Sequence, residues 1–149
     1  MSSTNSIPTA LVQAYLNFDG RCDEALEFYK SAIGAEVINL LRFKDSPQPC
    51  DPSMVPPSSA EKVMHCSFRI GQTNLMASDC NCQGNAKFQG ISLTLSVPTE
   101  ADADRAFAAL GDGGQVQMPL TKTFFSPKFG MVADRFGVSW MVIVMAACP

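Results

Sequence analysis

The chain has 149 residues, 46% of them hydrophobic and 17% charged, enough apolar material for one domain with its own core. A formal net charge of −3, with no run of Lys or Arg, excludes the basic footprint of a nucleic-acid or anionic-membrane binder. Residues Met1 to Ala10 lack the basic start and apolar stretch of a secretory signal, and the most apolar run, Val138–Cys148, is shorter than the roughly 20 residues that cross a bilayer. A cytoplasmic protein is therefore expected, with its cysteines (Cys22, Cys50, Cys66, Cys80, Cys82 and Cys148) reduced rather than forming a disulfide framework.

In chain order, the apolar run over residues 10–18, closed by Asp19-Gly20, predicts a strand. Cys22–Ile33 follows with Ala25, Leu26, Tyr29 and Ile33 on one helical stripe, and Gly34 ends that helix. Strands are expected at Glu36–Phe43, Val63–Ile70 and Thr73–Ser78, the last two joined by Gly71-Gln72. Between the first two of these, Asp45–Glu61 is dense in Pro and Ser and reads as a loop. The order then recurs: a strand at Ile91–Val97, a helix over Glu100–Leu110 opened by Thr99, and strands at Gln115–Phe124, Gly130–Asp134 and Val138–Met145. The prediction is one α+β domain over residues 1–149 built as two βαβββ modules in tandem, about 10–80 and 90–146.

Alternate residues of a strand point to opposite faces. Met64, Cys66, Phe68 and Ile70 oppose Val63, His65, Ser67 and Arg69. Val12, Ala14, Leu16 and Phe18 oppose Leu11, Gln13, Tyr15 and Asn17, while Ile91, Leu93, Leu95 and Val97 oppose Ser92, Thr94 and Ser96. The uniformly apolar faces are expected under the helices, which frees the mixed faces to line a cleft. His65, the lone histidine, is a candidate general acid/base or ligand-orienting group there, or a histidine bonded within the sheet. Arg69 on the same face would pair with an anionic ligand group, or stand in solvent at the strand end.

The segments YLNFDGRCDEALEFYKSAIGAEV, VMHCSFRIGQTNLMASD and KTFFSPKFGMVADRFGVSWMV, together with the doubled βαβββ order, resemble the vicinal oxygen chelate superfamily of glyoxalase I, extradiol dioxygenases and bleomycin-resistance proteins. More closely they resemble its PhnB-like branch. The resemblance implies the glyoxalase/bleomycin-resistance-like fold and a homodimer whose curled sheets enclose pockets. It also implies where a metal would sit, because metal enzymes of the superfamily take His, Gln or Glu ligands from the first and last strand of each half.

Matched onto this chain, those positions are Gln13, Met76, Ser92 and Met141, and a one-residue slip to Leu75, Ala77, Trp140 or Val142 supplies no ligand either. Hard divalent ions favour carboxylates and transition metals favour imidazole, so a family-type centre is not expected. Met76 and Met141 would suit soft Cu(I), but methionines here read more simply as pocket wall. Cys80-Asn81-Cys82 lacks the spacing and partners of a zinc site, and Asp79 and Asp134 read as turn caps rather than ligands. The aromatic stretch over residues 123–130 suggests a lid or a dimer contact carried by Phe124 and Phe125. Nothing matches a G-x-G cofactor loop after a strand, which argues against the methyltransferase label once attached to the branch.

The expectation is a homodimeric small-molecule-binding protein with no cofactor, its largely apolar cleft lined by Gln13, Tyr15, His65, Arg69, Met76, Ser92, Phe124, Phe125 and Met141. The alternative is a lyase, isomerase or dioxygenase whose divalent metal involves Gln13 and His65. A third possibility is an interaction module with the pocket filled by its own side chains.

Overall fold

The computed structural model describes residues 7–47, 59–79 and 86–145. The first module is β1 (Tyr15–Asn17), α1 (Cys22–Ile33), β2 (Glu36–Arg42), β3 (Val63–Ile70) and β4 (Thr73–Ser78), with a 3₁₀ turn at Phe43–Asp45 after β2. The second is β5 (Leu93–Val97), α2 (Glu100–Gly111), β6 (Gln115–Thr121), β7 (Phe129–Ala133) and β8 (Ser139–Val144). Each module closes its own four-stranded sheet, in the orders β1-β4-β3-β2 and β5-β8-β7-β6. The first and last strands of each module run parallel, and the remaining pairs are antiparallel. The two βαβββ modules expected from the sequence are thus present.

Local chemistry explains the helices. Gly34 takes φ 70°, a conformation open to glycine, and its N–H donates to Lys30 O at 3.2 Å, closing α1. Thr99 Oγ1 accepts from the Asp102 N–H at 3.1 Å at the start of α2. Arg21, at the N-cap of α1, makes no such side-chain bond, and a carboxylate from another element does that work, as described below.

One apolar cluster joins the modules. Leu16, Phe18, Leu26, Tyr29 and Phe68 of the first meet Leu110, Val132, Trp140 and Val142 of the second, and α1 touches α2. The Tyr29 ring lies 5.6 Å from that of Trp140, and Phe18 lies 5.8 Å from Phe136, both edge-on. The sheet faces towards the helices are closed by this packing, and the opposite faces are open.

The structure corrects several expectations. The strand expected over residues 10–18 is confined to Tyr15–Asn17. Tyr15 pairs in parallel with Met76, and β4 begins at Thr73, so residues 10 and 11 run past the end of their only neighbour. Ile91 falls outside β5 for the same reason, since Leu93 pairs with Trp140 and β8 begins at Ser139. Val12 and Ile91, expected under the helices, are fully exposed and 58% exposed respectively. Val63, expected on the open face, is wholly buried; the ladder shifts register between Leu41 and Arg42 beside it, and its N–H donates to Asp79 Oδ2 at 2.8 Å. The strand expected to reach Phe124 stops at Thr121, because the Thr123 N–H donates to Ser126 O at 2.9 Å and turns the chain back. Of the Pro/Ser-rich loop only its two ends are described, and Cys50, Cys80, Cys82 and Cys148 lie outside the described residues.

Candidate functional site

In the first module, the β1–β4–β3–β2 register lines up Tyr15, Met76, Ser67 and Asn39 on the open face. Beside this row, Tyr15 Oη lies 3.3 Å from His65 Nδ1, with ring centroids 5.7 Å apart. Either group can donate in this contact, the direction following the histidine tautomer. Tyr15, His65 and Met76 are therefore one group of neighbours. Gln13 sits at the rim, its Nε2 donating to Asn74 O at 3.1 Å. Arg69 lies two residues past Ser67 on the same face of β3, opposite Asn74, and is held in a 2.6 Å ion pair with Glu36 across β2 and β3. Both partners are exposed, so that pair adds about 0–1 kcal/mol to stability, but it engages the charge expected for an anionic ligand.

In the second module the equivalent row is Thr94, Met141, Met131 and Met118, successive partners across β5, β8, β7 and β6. The Thr94 hydroxyl donates to Met141 Sδ at 3.9 Å, and the three methionines are half-buried. Ser92 precedes β5 and is exposed. Phe124 and Phe125 stand on the turn after β6, their rings edge-on at 5.1 Å, with Phe125 in turn edge-on to Phe129 at 5.1 Å. The turn is firm: the Ser126 hydroxyl lies 2.8 Å from both Lys128 O and Val144 O, so Phe124 is presented fully exposed from an ordered base. The neighbouring Lys128 pairs with Asp104 at 2.6 Å. Met118 and Met131 went unread at the sequence level, although their parity against Val132 in FGMVA carries the signal.

The pairings fix which residues correspond between modules. Tyr15 faces Met76 as Thr94 faces Met141, so Gln13 corresponds to Ser92 two residues earlier. Those four positions therefore offer an amide, a hydroxyl and two thioethers, with no carboxylate or imidazole, and this donor set does not fit a hard or borderline divalent ion. Asp79 and Asp134, the carboxylates that follow β4 and β7, are consumed elsewhere. Asp79 is wholly buried; its Oδ1 accepts from the N–H groups of Gly20 and Cys22, and its Oδ2 from Val63, each at 2.8 Å. Asp134 accepts from the Phe136 and Val138 N–H groups at 2.9 and 3.1 Å, from the Tyr29 hydroxyl at 2.6 Å and from Trp140 Nε1 at 2.9 Å. The expected turn-capping role of both is correct but incomplete, because each also ties distant elements together. Burial and the Asp134 charge push the Tyr29 hydroxyl well above its ordinary pKa.

A cavity of about 450 Å³ lies on the helix side, between α1, α2 and the β7–β8 turn, away from every residue expected to bind ligand. Its phenyl walls are already covered, with Arg135 over Phe28 at 4.3 Å and Arg21 over Phe136 at 4.5 Å. Its carboxylates Glu24, Glu27 and Asp112 pair with Arg21, Lys30 and Arg135.

This architecture, two βαβββ modules with mixed open faces, is that of the glyoxalase/bleomycin-resistance fold, and the comparisons agree. The chain belongs to the family described as 3-demethylubiquinone-9 3-methyltransferase, whose pattern matches residues 10–143, and is a PhnB-like protein of the vicinal oxygen chelate superfamily. It is 32% identical over 142 residues to Protein YjdN of Escherichia coli (strain K12), covering 91% of this chain and 95% of that one. The crystal structure of PA1353 from Pseudomonas aeruginosa shares 39% identity with a TM-score of 0.78, covering 92% and 98% of the two chains. A PhnB protein from Bacillus cereus shares 29% identity with a TM-score of 0.73, covering 91% and 99%. The glyoxylase/bleomycin resistance protein/dioxygenase domain of Frankia sp. EAN1pec, at 13% identity and a TM-score of 0.64 over 95% of each chain, shares the fold.

Proposed function

We propose that this protein is a cytoplasmic homodimer that captures a small molecule between its open sheet faces and carries no metal centre of the superfamily type. The observation carrying this reading is the contrast between two equivalent rows. One offers Tyr15, Met76 and Ser67 with His65 alongside, and the other offers Thr94 and three methionines, with no anionic metal ligand in either. Such a pair of surfaces suits a ligand with an apolar body, held by polarisable thioethers, and a polar end at the tyrosine and histidine. Gln13, Ser92, Phe124 and Phe125 stand at the edges and would complete the lining; Arg69 would first have to leave Glu36.

Dimerisation is supported by the apolar groups left in water along the segments entering β1 and β5. Leu11 is 81% exposed and Val12 fully so, with Ile91 beyond half, as is Met145 just past β8, a load that a second copy would cover. Methyl transfer, which the family's description names, gains no support from the β1–α1 turn, the place where a strand-to-helix loop would cradle a cofactor. It holds a single glycine, and its Gly20 and Cys22 N–H groups are already bonded to Asp79.

The test is a metabolite panel read by thermal shift, followed by titration of each hit against the wild type and Met141→Glu. A ligand should raise Tm in the wild type. The substitution, on a half-buried open-face position, should leave the fold intact and weaken an apolar ligand at least tenfold. Unchanged affinity in Met141→Glu would contradict the assignment, and the absence of any hit across a broad panel would favour a module whose faces are filled on assembly.

A further inference from the structure

Cys22 opens α1 and Cys66 lies in the middle of β3. Both side chains are wholly buried, and their Sγ atoms are 3.8 Å apart. The binding function proposed above uses neither of them. We infer that Cys22 and Cys66 form an oxidisable dithiol site, which a small uncharged peroxide converts to a disulfide joining the start of α1 to β3.

The pair has the right parts in the right places. At 3.8 Å the sulfurs are in van der Waals contact, and closing to the roughly 2.05 Å of a disulfide takes side-chain rotation together with an approach of helix to strand. The elements they join are otherwise held by Asp79, whose carboxylate binds the Cys22 N–H on one side and the Val63 N–H, at the head of β3, on the other. The environment also distinguishes the two sulfurs. Either thiol can donate in the neutral pair, but their shared hydrogen bond holds the Cys22 proton on and lowers the pKa of the Cys66 thiol, so Cys66 is the more readily ionised sulfur and the one that attacks.

The chemistry balances with hydrogen peroxide as oxidant. The Cys66 thiolate attacks one peroxide oxygen and the O–O bond breaks; the departing hydroxide takes the proton that Cys66 released and leaves as water. The resulting sulfenic acid on Cys66 is attacked by Cys22 Sγ, the S–O bond breaks, and the second hydroxide leaves as water with the Cys22 proton. Two thiols lose two electrons in all, and one peroxide gains them. Access is through local opening of the packing around α1, which makes the reaction slower than at an exposed thiol.

The site also has a route to the open face. Cys66 sits between His65 and Ser67 in β3, so anchoring it to α1 constrains the strand that carries the Tyr15–His65 contact. The inference stands apart from the ligand-binding reading, because its measurements need no ligand.

The decisive experiment treats two proteins with hydrogen peroxide under native conditions: the wild type, and a variant in which Cys50, Cys80, Cys82 and Cys148 are all changed to Ser. Intact mass should fall by two hydrogens in the variant, and non-reducing peptide maps of both proteins should show Cys22 joined to Cys66. Dithiothreitol should reverse the change, and the oxidised form should melt about 5 °C or more above the reduced one. Cys22→Ser should leave a sulfenic acid on Cys66 that dimedone traps, whereas Cys66→Ser should leave Cys22 unmodified. Should the quadruple variant fail to fold, the wild-type map alone decides. Cys22 and Cys66 both recovered as thiols, or Cys66 recovered as sulfinic acid without any disulfide, would overturn the inference.

Discussion

Asp79 shows how much structure one buried carboxylate organises. It lies at the end of β4, yet it satisfies two N–H groups at the entry to α1 and a third at the head of β3, filling the role that Arg21 leaves open at the helix N-cap. Asp79→Ala would strand two buried donors, Cys22 and Val63, and the half-buried Gly20 N–H, and should cost about 3 kcal/mol in urea unfolding. Asp134 plays a different part in the second module, closing the β7–β8 turn through the Phe136 and Val138 N–H groups and binding Tyr29 and Trp140. Tyr29→Phe should cost about 1–3 kcal/mol, and the pH dependence separates this bond from simple packing. The Tyr29 pKa is raised in the fold, so its contribution is complete below the unfolded value near pH 10. Above it the unfolded chain ionises first, and stability falls as pH rises. Urea midpoints between pH 9 and 11 should therefore decline less steeply in Tyr29→Phe than in the wild type. Both aspartates were legible as turn residues, but nothing in a local pattern announces a partner such as Tyr29, which is 105 positions away in sequence.

Among the elements, β3 and β4 match their expected bounds because alternation and a Gly-containing turn mark them on both sides. The opening strands are shorter than their apolar runs because strand length depends on a neighbour, and the neighbour's start is not written in the run itself. Parity placed Cys66, Phe68 and Ile70 correctly on the buried face, and failed at Val63, where a register shift breaks the alternation. Close packing sets a further limit in the second module. A Cβ on Gly130 would stand 2.8 Å from the Phe107 ring and 3.0 Å from the Leu120 nitrogen, so at this point β7 fits beneath α2 only as a glycine. Gly130→Ala should destabilise by about 1–3 kcal/mol, measured by chemical denaturation, and a loss below half of that would mean the ring moves aside freely.

For the whole molecule, the fold and family were legible because a doubled βαβββ order with three matching segments is distinctive. The candidate site was legible only in part. Tyr15, His65 and Met76 do come together and Arg69 does not join them, a difference decided by Glu36 across the strand pair. The methionine row of the second module emerges only when β6, β7 and β8 are laid side by side. One scaffold hosts binders and enzymes alike, so function rests on what occupies particular positions, and here those positions carry thioethers, an amide and a hydroxyl.

The most direct test of a metal-free binder is metal content per chain by plasma mass spectrometry on untagged protein. It should be measured as purified and after incubation with Ni, Zn, Mn and Fe(II), beside Gln13→Ala and His65→Ala. No stoichiometric divalent metal is expected under any of these conditions. One tightly held metal per chain, lost in either variant, would contradict this and make the open face of the first module a catalytic metal centre.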